Sequence, residues 1–303
     1  MRVGLALPQL GPYADAFAVR GFAERAEELG FGHLFVQQHL FYPHEVVSGY
    51  SARPGLAVPD AYRSVLQPLE LLAVVAGWTS QIILGTSILV AGYHRPVDLA
   101  QRISTLDVLS GGRTIFGFSV GWSDEEHEQY DVDPRTRGRR AGELIEAMKA
   151  CWGPDPVVFE GEFFTVPASD VDPKPVQRPH PPLMSGMRSE VGLRRTAEQF
   201  DWWNPASGTL EQHLDTMGAL AAMRPADLVP LKMCWNLFTD PPVIVANLKP
   251  LSVDELCEQV AAAAAAGVDA VSVDANFDPS ITGSQDWVQV PDRLAPLLDA
   301  ARS

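Results

Sequence analysis

The segment Leu84-Gly85-Thr86-Ser87-Ile88-Leu89-Val90, followed by Arg95-Pro96 and then by Leu106-Asp107-Val108-Leu109-Ser110-Gly111-Gly112-Arg113, constrains the fold more than any other part of the chain. It reads as a strand ending in small polar residues, a helix opened by Pro96, a glycine turn and a new strand. Leucine and β-branched residues without alternation suit a strand buried on both faces, the habit of a parallel sheet. This is one β/α unit, with its chemistry at the strand's carboxyl end.

The same unit recurs along the chain. Val3 to Leu7 reads as a first strand and Ala14 to Leu29 as its helix, stopped by Gly30. His33 to Gln37 is the second strand, and its connection from Gln38 to about Gln67 is long and rich in Pro, Gly, Tyr and Ser, which marks a substrate-side loop. Pro68 to Ser80, Ile82 to Ser87, Pro96 to Leu109, Thr114 to Ser119 and Arg137 to Trp152 continue the alternation. It breaks over 157–182, where Phe159, Phe163, Phe164 and a proline-rich tail imply an insertion with an extended outer connector. Leu183 to Ser185, Glu190 to Phe200, Asp201 to Asn204, Thr209 to Met223, Leu231 to Leu237, Ser252 to Ala266, Ala270 to Asp274 and Gln285 to Ala300 complete eight pairs.

Eight β/α units in 303 residues point to an α/β fold, a (β/α)8 TIM barrel, as a single domain over 1–303 with the insertion inside it. The rival doubly wound sheet is disfavoured, because the first turn, Pro8-Gln9-Leu10-Gly11, lacks the glycine pattern of a dinucleotide site. In a barrel, working residues sit at the carboxyl ends of the strands.

A net charge of −15 opposes binding to a phosphate backbone, so nucleic acid is not an expected partner. Cys151, Cys234 and Cys257 are too few and scattered for a disulfide framework, and no CxxC spacing suggests zinc, which fits a reduced cytoplasm. No basic leader precedes Val3, and no apolar run reaches the roughly 18 residues of a membrane helix, so no membrane partner is expected.

Leu84 to Ile88, Leu106 to Arg113, Gly117-Phe118-Ser119-Val120-Gly121-Trp122, Pro173 to Pro182, and Ser185-Gly186-Met187-Arg188-Ser189 leading into Leu193-Arg194-Arg195 together carry a resemblance over about residues 80 to 205. The chain resembles the luciferase-like flavin and deazaflavin oxidoreductases, and more closely the branch dependent on the deazaflavin coenzyme F-420. The resemblance implies hydride transfer between F-420 and a small organic substrate, with an FMN-dependent luciferase-like monooxygenase as the alternative and a non-catalytic flavin-binding barrel as the second. Relatives of this type are usually dimers, so it also implies a homodimer.

The run Ser185-Gly186-Met187-Arg188-Ser189 lies between a strand and a helix amino end, where free N–H groups and the helix dipole attract an anion. It is equally a capped helix start with Ser189 as the cap. The resemblance implies that the cofactor phosphate is held there, with Arg137 as a second candidate, whereas Arg139 and Arg140 suit a solvated helix face.

For the ring, the resemblance implies a site at Thr86, Ser87 and Ile88, with a non-proline cis peptide between Ser87 and Ile88 against the ring's back. Gly117, Ser119, Val120 and Gly121 would bring bare backbone to its pyrimidine side. His39, ending the second strand, is the expected catalytic and cofactor-facing residue, because imidazole titrates near neutrality. Gln38 stands where related deazaflavin enzymes often carry an acid. Trp122 stands where the family's sugar-phosphate dehydrogenases carry a catalytic glutamate; an indole cannot exchange that proton, so Trp122 is expected to shape an apolar substrate pocket with Phe41 and Tyr42. His44 and Glu45 beside His39 lack a metal-binding spacing.

Overall fold

The computed structural model describes residues 1–45, 49–50, 53, 55–242 and 249–302; residues 46–48, 51–52 and 54 of the long second loop lie outside the described residues. Parallel strands β1 (Arg2–Ala6), β2 (His33–Val36), β3 (Ile83–Val90), β4 (Thr114–Ser119), β7 (Leu183–Ser185), β8 (Trp202–Trp203), β9 (Lys232–Phe238) and β10 (Ala270–Asp274) close into a barrel, β1 pairing with both β2 and β10. This is the expected α/β TIM barrel. Between α5 (Arg137–Trp152) and β7 the alternation gives way to an antiparallel hairpin of β5 (Val157–Glu160) and β6 (Thr165–Ser169), followed by the proline-rich stretch.

Helices α1 (Ala16–Leu29), α2 (Pro68–Trp78), α3 (Pro96–Ser110), α5 (Arg137–Trp152), α6 (Glu190–Gln199), α7 (Leu210–Met223) and α8 (Val253–Ala265) alternate with the strands. Asp15 caps α1 by accepting from the Ala18 amide at 2.9 Å, and Gly30 ends it at φ 91°, a left-handed conformation that glycine adopts without a Cβ penalty. The long last helix divides into α9 (Ser284–Leu294) and α10 (Pro296–Ala300), since Pro296 lacks the N–H a continuous helix needs. A short helix that the sequence reading lacked, α4 (Asp124–Glu128), follows β4.

Two apolar clusters hold these layers together. Phe35, Ile115, Met184, Trp202, Cys234 and Ala270, from β2, β4, β7, β8, β9 and β10, fill the barrel interior, while Leu34, Leu84, Phe116, Leu183 and Val271 face the helices. The Leu106 to Arg113 motif is structural. Asp107, fully buried, accepts from the Thr114 hydroxyl at 2.6 Å and from the Gln177 amide at 3.0 Å, which fastens the proline-rich connector to the barrel. Arg113 donates to the carbonyls of Ala76, Thr79 and Ile82, satisfying acceptors that the end of α2 leaves open.

Candidate active site

A cavity of about 680 Å³ opens at the carboxyl ends of the barrel strands. Its wall on β3 is Ser87 and Ile88, whose peptide bond is cis, as the resemblance implied. The Ser87 hydroxyl donates to Asn204 Oδ1 at 2.8 Å and accepts from Asn236 Nδ2 at 2.9 Å, so three side chains from β3, β9 and the end of β8 form a fixed polar floor. Val120, Gly121 and Trp122 follow β4 on one side. Gly121 sits at φ 72°, and a Cβ there would lie 2.6 Å from Val90 Cγ1, so this turn requires glycine. Gly117 does not line the cavity; a Cβ there would stand 2.3 Å from the Thr86 carbonyl, so close strand packing explains it.

His39, 6% exposed, follows β2 and lines the cavity beside Trp122 and Tyr62, with ring centroids 5.3 and 4.3 Å away. Its Nδ1 lies 2.7 Å from Glu126 Oε1, while Nε2 has no partner among the described residues. Glu126, on α4 and 1% exposed, also accepts from the Leu40 amide at 2.9 Å and from the Tyr93 hydroxyl at 2.7 Å. Burial alone would raise its carboxyl pKa, but the His39, Leu40 and Tyr93 bonds outweigh that and hold it below the usual value. An ionised Glu126 accepting at Oε1 orients His39 with Nδ1–H toward it and Nε2 toward the cavity.

The acid absent at position 38 is therefore supplied from α4. Gln38 instead turns into the wall, where its Oε1 accepts from the Val90 amide at 2.9 Å and lies 3.0 Å from His94 Nε2. Glu126 was missed, although Ser123 followed by Asp124, Glu125 and Glu126 is the pattern of a capped helix start.

At the far end, Gly186, Met187, Arg188 and Ser189 line the cavity and lead into α6. Ser189 caps the helix, accepting from the Gly192 amide at 3.1 Å, so the two readings of this run coincide in one loop. Arg188 donates to the Ser207 hydroxyl at 2.6 Å, and Arg137, also lining, lies 3.4 Å from Asp124. Arg195 joins them, packed over Gly142 of α5, with no hydrogen bond or ion pair to any described residue. Burial lowers its pKa, and Glu146 and Glu198 only partly offset that. A guanidinium in this state suits an anionic ligand.

Four expected residues lie elsewhere. Thr86 is fully buried in the sheet and shares its hydroxyl with the Gly117 backbone at 3.1 and 2.9 Å. The Ser185 hydroxyl, also fully buried, is 2.7 Å from Thr196 Oγ1 under α6. Phe41 is exposed, and Tyr42 lies beneath the Arg63 guanidinium at 4.0 Å with its hydroxyl on the Val58 carbonyl. Tyr50 and Tyr62 of the same loop line the cavity instead, joined hydroxyl to hydroxyl at 3.0 Å.

The family model described as luciferase-like monooxygenase matches residues 4–239. The chain belongs to that family. An uncharacterized protein of Mycobacterium tuberculosis is 34% identical over 181 residues, which covers 59% of this chain and 62% of that protein, so the match spans about three fifths of the relative's length. An F-420-dependent glucose-6-phosphate dehydrogenase of Kineococcus radiotolerans is 33% identical over 170 residues (54% of this chain, 46% of that one). An FMNH2-dependent dimethylsulfone monooxygenase of Pseudomonas putida is 26% identical over 195 residues (63% and 49%). Among solved structures, an F-420-dependent secondary alcohol dehydrogenase shares the fold with a TM-score of 0.77 at 14% identity, covering 100% of this chain and 99% of that one. Family members with either coenzyme are thus similar to this chain.

Proposed function

We propose that this chain is an oxidoreductase that uses coenzyme F-420 to move a hydride to or from a small organic substrate. The observation that carries the reading is one cavity with a lining of two kinds: Arg188, Arg195 and the start of α6, and the His39–Glu126 pair among aromatic rings. An elongated cofactor with an anionic tail and a planar ring matches that polarity. Arg195, a cation without a partner among the described residues, and Gly186, which has no side chain to bar approach, fit the tail.

When bound, the deazaflavin supplies the hydride chemistry; the protein supplies position and electrostatics. Arg188, Arg195 and the α6 amides hold the tail. Ser87 and Ile88 are the residues that would receive the ring, and the Asn204–Asn236 pair keeps Ser87 fixed. His39 would donate or accept a proton at Nε2, with Glu126 holding the ring at Nδ1 across 2.7 Å. Trp122 and Tyr62 crowd that imidazole and exclude water. Because Trp122 exchanges no proton, the reading does not extend to sugar-phosphate oxidation.

The second reading is an FMN-dependent monooxygenase, favoured by the Pseudomonas putida relative and the family description. Titrating the protein with each cofactor and following tryptophan quenching separates the two. F-420 should bind at least tenfold more tightly than FMN, a gap of about 1.4 kcal/mol; the reverse order selects the monooxygenase. Tight binding of a cofactor with no turnover over a broad substrate panel would leave the non-catalytic barrel.

A further inference from the structure

Asp274 ends β10 on the cavity rim and takes no part in the steps above. Its Oδ1 accepts both the Asn276 backbone N–H and the Asn276 Nδ2–H, each at 2.8 Å. Asn276 is itself pinned: its Nδ2 donates to the Leu7 carbonyl at 2.9 Å, and its Oδ1 accepts from the Gln9 and Leu10 amides at 3.0 Å. One carboxyl oxygen is thus saturated by a rigid partner. The other, Oδ2, receives no hydrogen bond from any described residue, and no described Lys, Arg or His pairs with it. The groups on this side of the cavity are the Tyr50 and Tyr62 phenols of the second loop, Phe238 at the end of β9, Phe277, and the Glu126 carboxylate already bound to His39. Burial raises the pKa values of both phenols, so they stay neutral beside Asp274.

We propose that Asp274 presents a neutral carboxylic acid to the cavity and donates a hydrogen bond from Oδ2 to an uncharged oxygen of the substrate, such as a carbonyl. The inference rests on this cavity being the substrate site of the reading above. With Oδ1 engaged by two N–H donors, a proton on this cavity-lining carboxyl has one place to reside, the Oδ2 that no described residue engages. Burial raises the carboxyl pKa, and the Asn276 bonds oppose the rise only in part. The surroundings therefore favour a donor for a neutral acceptor over an anion awaiting a cationic substrate.

The test uses the full chain labelled with 13C at aspartate carboxyls, the Asp274 resonance being assigned by its loss in Asp274→Asn. Acetophenone serves as the neutral carbonyl probe and phenyltrimethylammonium as the cationic one. The resonance should titrate well above the ordinary carboxylate value near 4. Acetophenone affinity should fall at least tenfold as pH rises through that midpoint in the wild type, and show no such fall in Asp274→Asn, whose amide still donates. A midpoint near 4, acetophenone that does not bind or binds without pH dependence, or phenyltrimethylammonium that gains affinity as pH rises would each overturn the proposal. F-420 and FMN titrations of the wild type run alongside, and failure there counts against the cofactor reading instead.

Discussion

Glu126 Oε1 lies 2.7 Å from His39 Nδ1, although the two residues are 87 positions apart and come from α4 and the loop after β2. The pair is buried, and its second carboxylate oxygen is occupied by Tyr93. The imidazole is therefore held by a carboxylate whose pKa its bonds keep low, and its Nε2, without a partner among the described residues, is the nitrogen left for a ligand in the proposed reading.

Replacing Glu126 by Gln removes the charge but keeps the shape. The expected outcome is turnover reduced by about tenfold or more, with cofactor affinity little changed, because the amide can present its N–H to Nδ1 and favour the wrong tautomer. The more drastic Glu126→Ala leaves buried donors without an acceptor and should cost about 3 kcal/mol of stability in urea unfolding.

His39→Ala should slow hydride transfer by about 10²-fold, the low end of what a positioned acid or base contributes, while cofactor affinity stays close to wild type. Stopped-flow absorbance of the cofactor checks both, and wild-type rates would remove His39 from the reaction.

At the cationic end, Arg195→Ala should weaken cofactor binding more than Arg188→Ala. Arg195 has no competing partner among the described residues, whereas Arg188 must exchange its Ser207 bond for the ligand. Losses of about 10-fold and 5-fold are expected, about 1.4 and 1 kcal/mol, just below the roughly 1.5 to 3 kcal/mol of a fully buried charged hydrogen bond because the cavity is open to water. Equal binding in both variants would move the anion site elsewhere.

The two buried carboxyls should affect acid stability with opposite signs. The Glu126 pKa is lowered in the folded state, so its contribution to stability is present above the unfolded pKa and is lost as pH falls through the folded value. The Asp274 pKa is raised by burial, so keeping this group in the fold costs stability above the unfolded pKa, where the unfolded chain releases the proton, and that penalty disappears below it. Urea midpoints across pH should show Asp274→Asn more stable than wild type at pH 7 and level with it in acid. Glu126→Gln should show its largest loss at neutral pH.

The barrel was legible in the sequence because each unit carries local signals: apolar strands, Pro96 at a helix start, and Gly30 and Gly111 at helix ends. The lining of the cavity was legible where backbone position alone decides it, as at Ser87, Ile88, Gly121 and Ser189. Thr86 and Ser185 were misplaced because strands buried on both faces show no alternation, so nothing local tells which neighbour points inward. Phe41 and Tyr42 were expected in the pocket that Tyr50 and Tyr62 line because the path of a long loop is set by distant contacts, here the Tyr62 hydroxyl on Gln37 at 3.1 Å. Glu126 was hidden for the same reason. Its partner lies on another element, and only the closed barrel brings them together.

The most direct measurement is a crystal structure of the chain soaked with F-420. The account predicts the ring against Ser87 and Ile88 with His39 Nε2 facing it, and the tail phosphate within hydrogen-bond reach of Arg188, Arg195 or the α6 amides. A ligand seated elsewhere, or a tail directed away from α6, would contradict it.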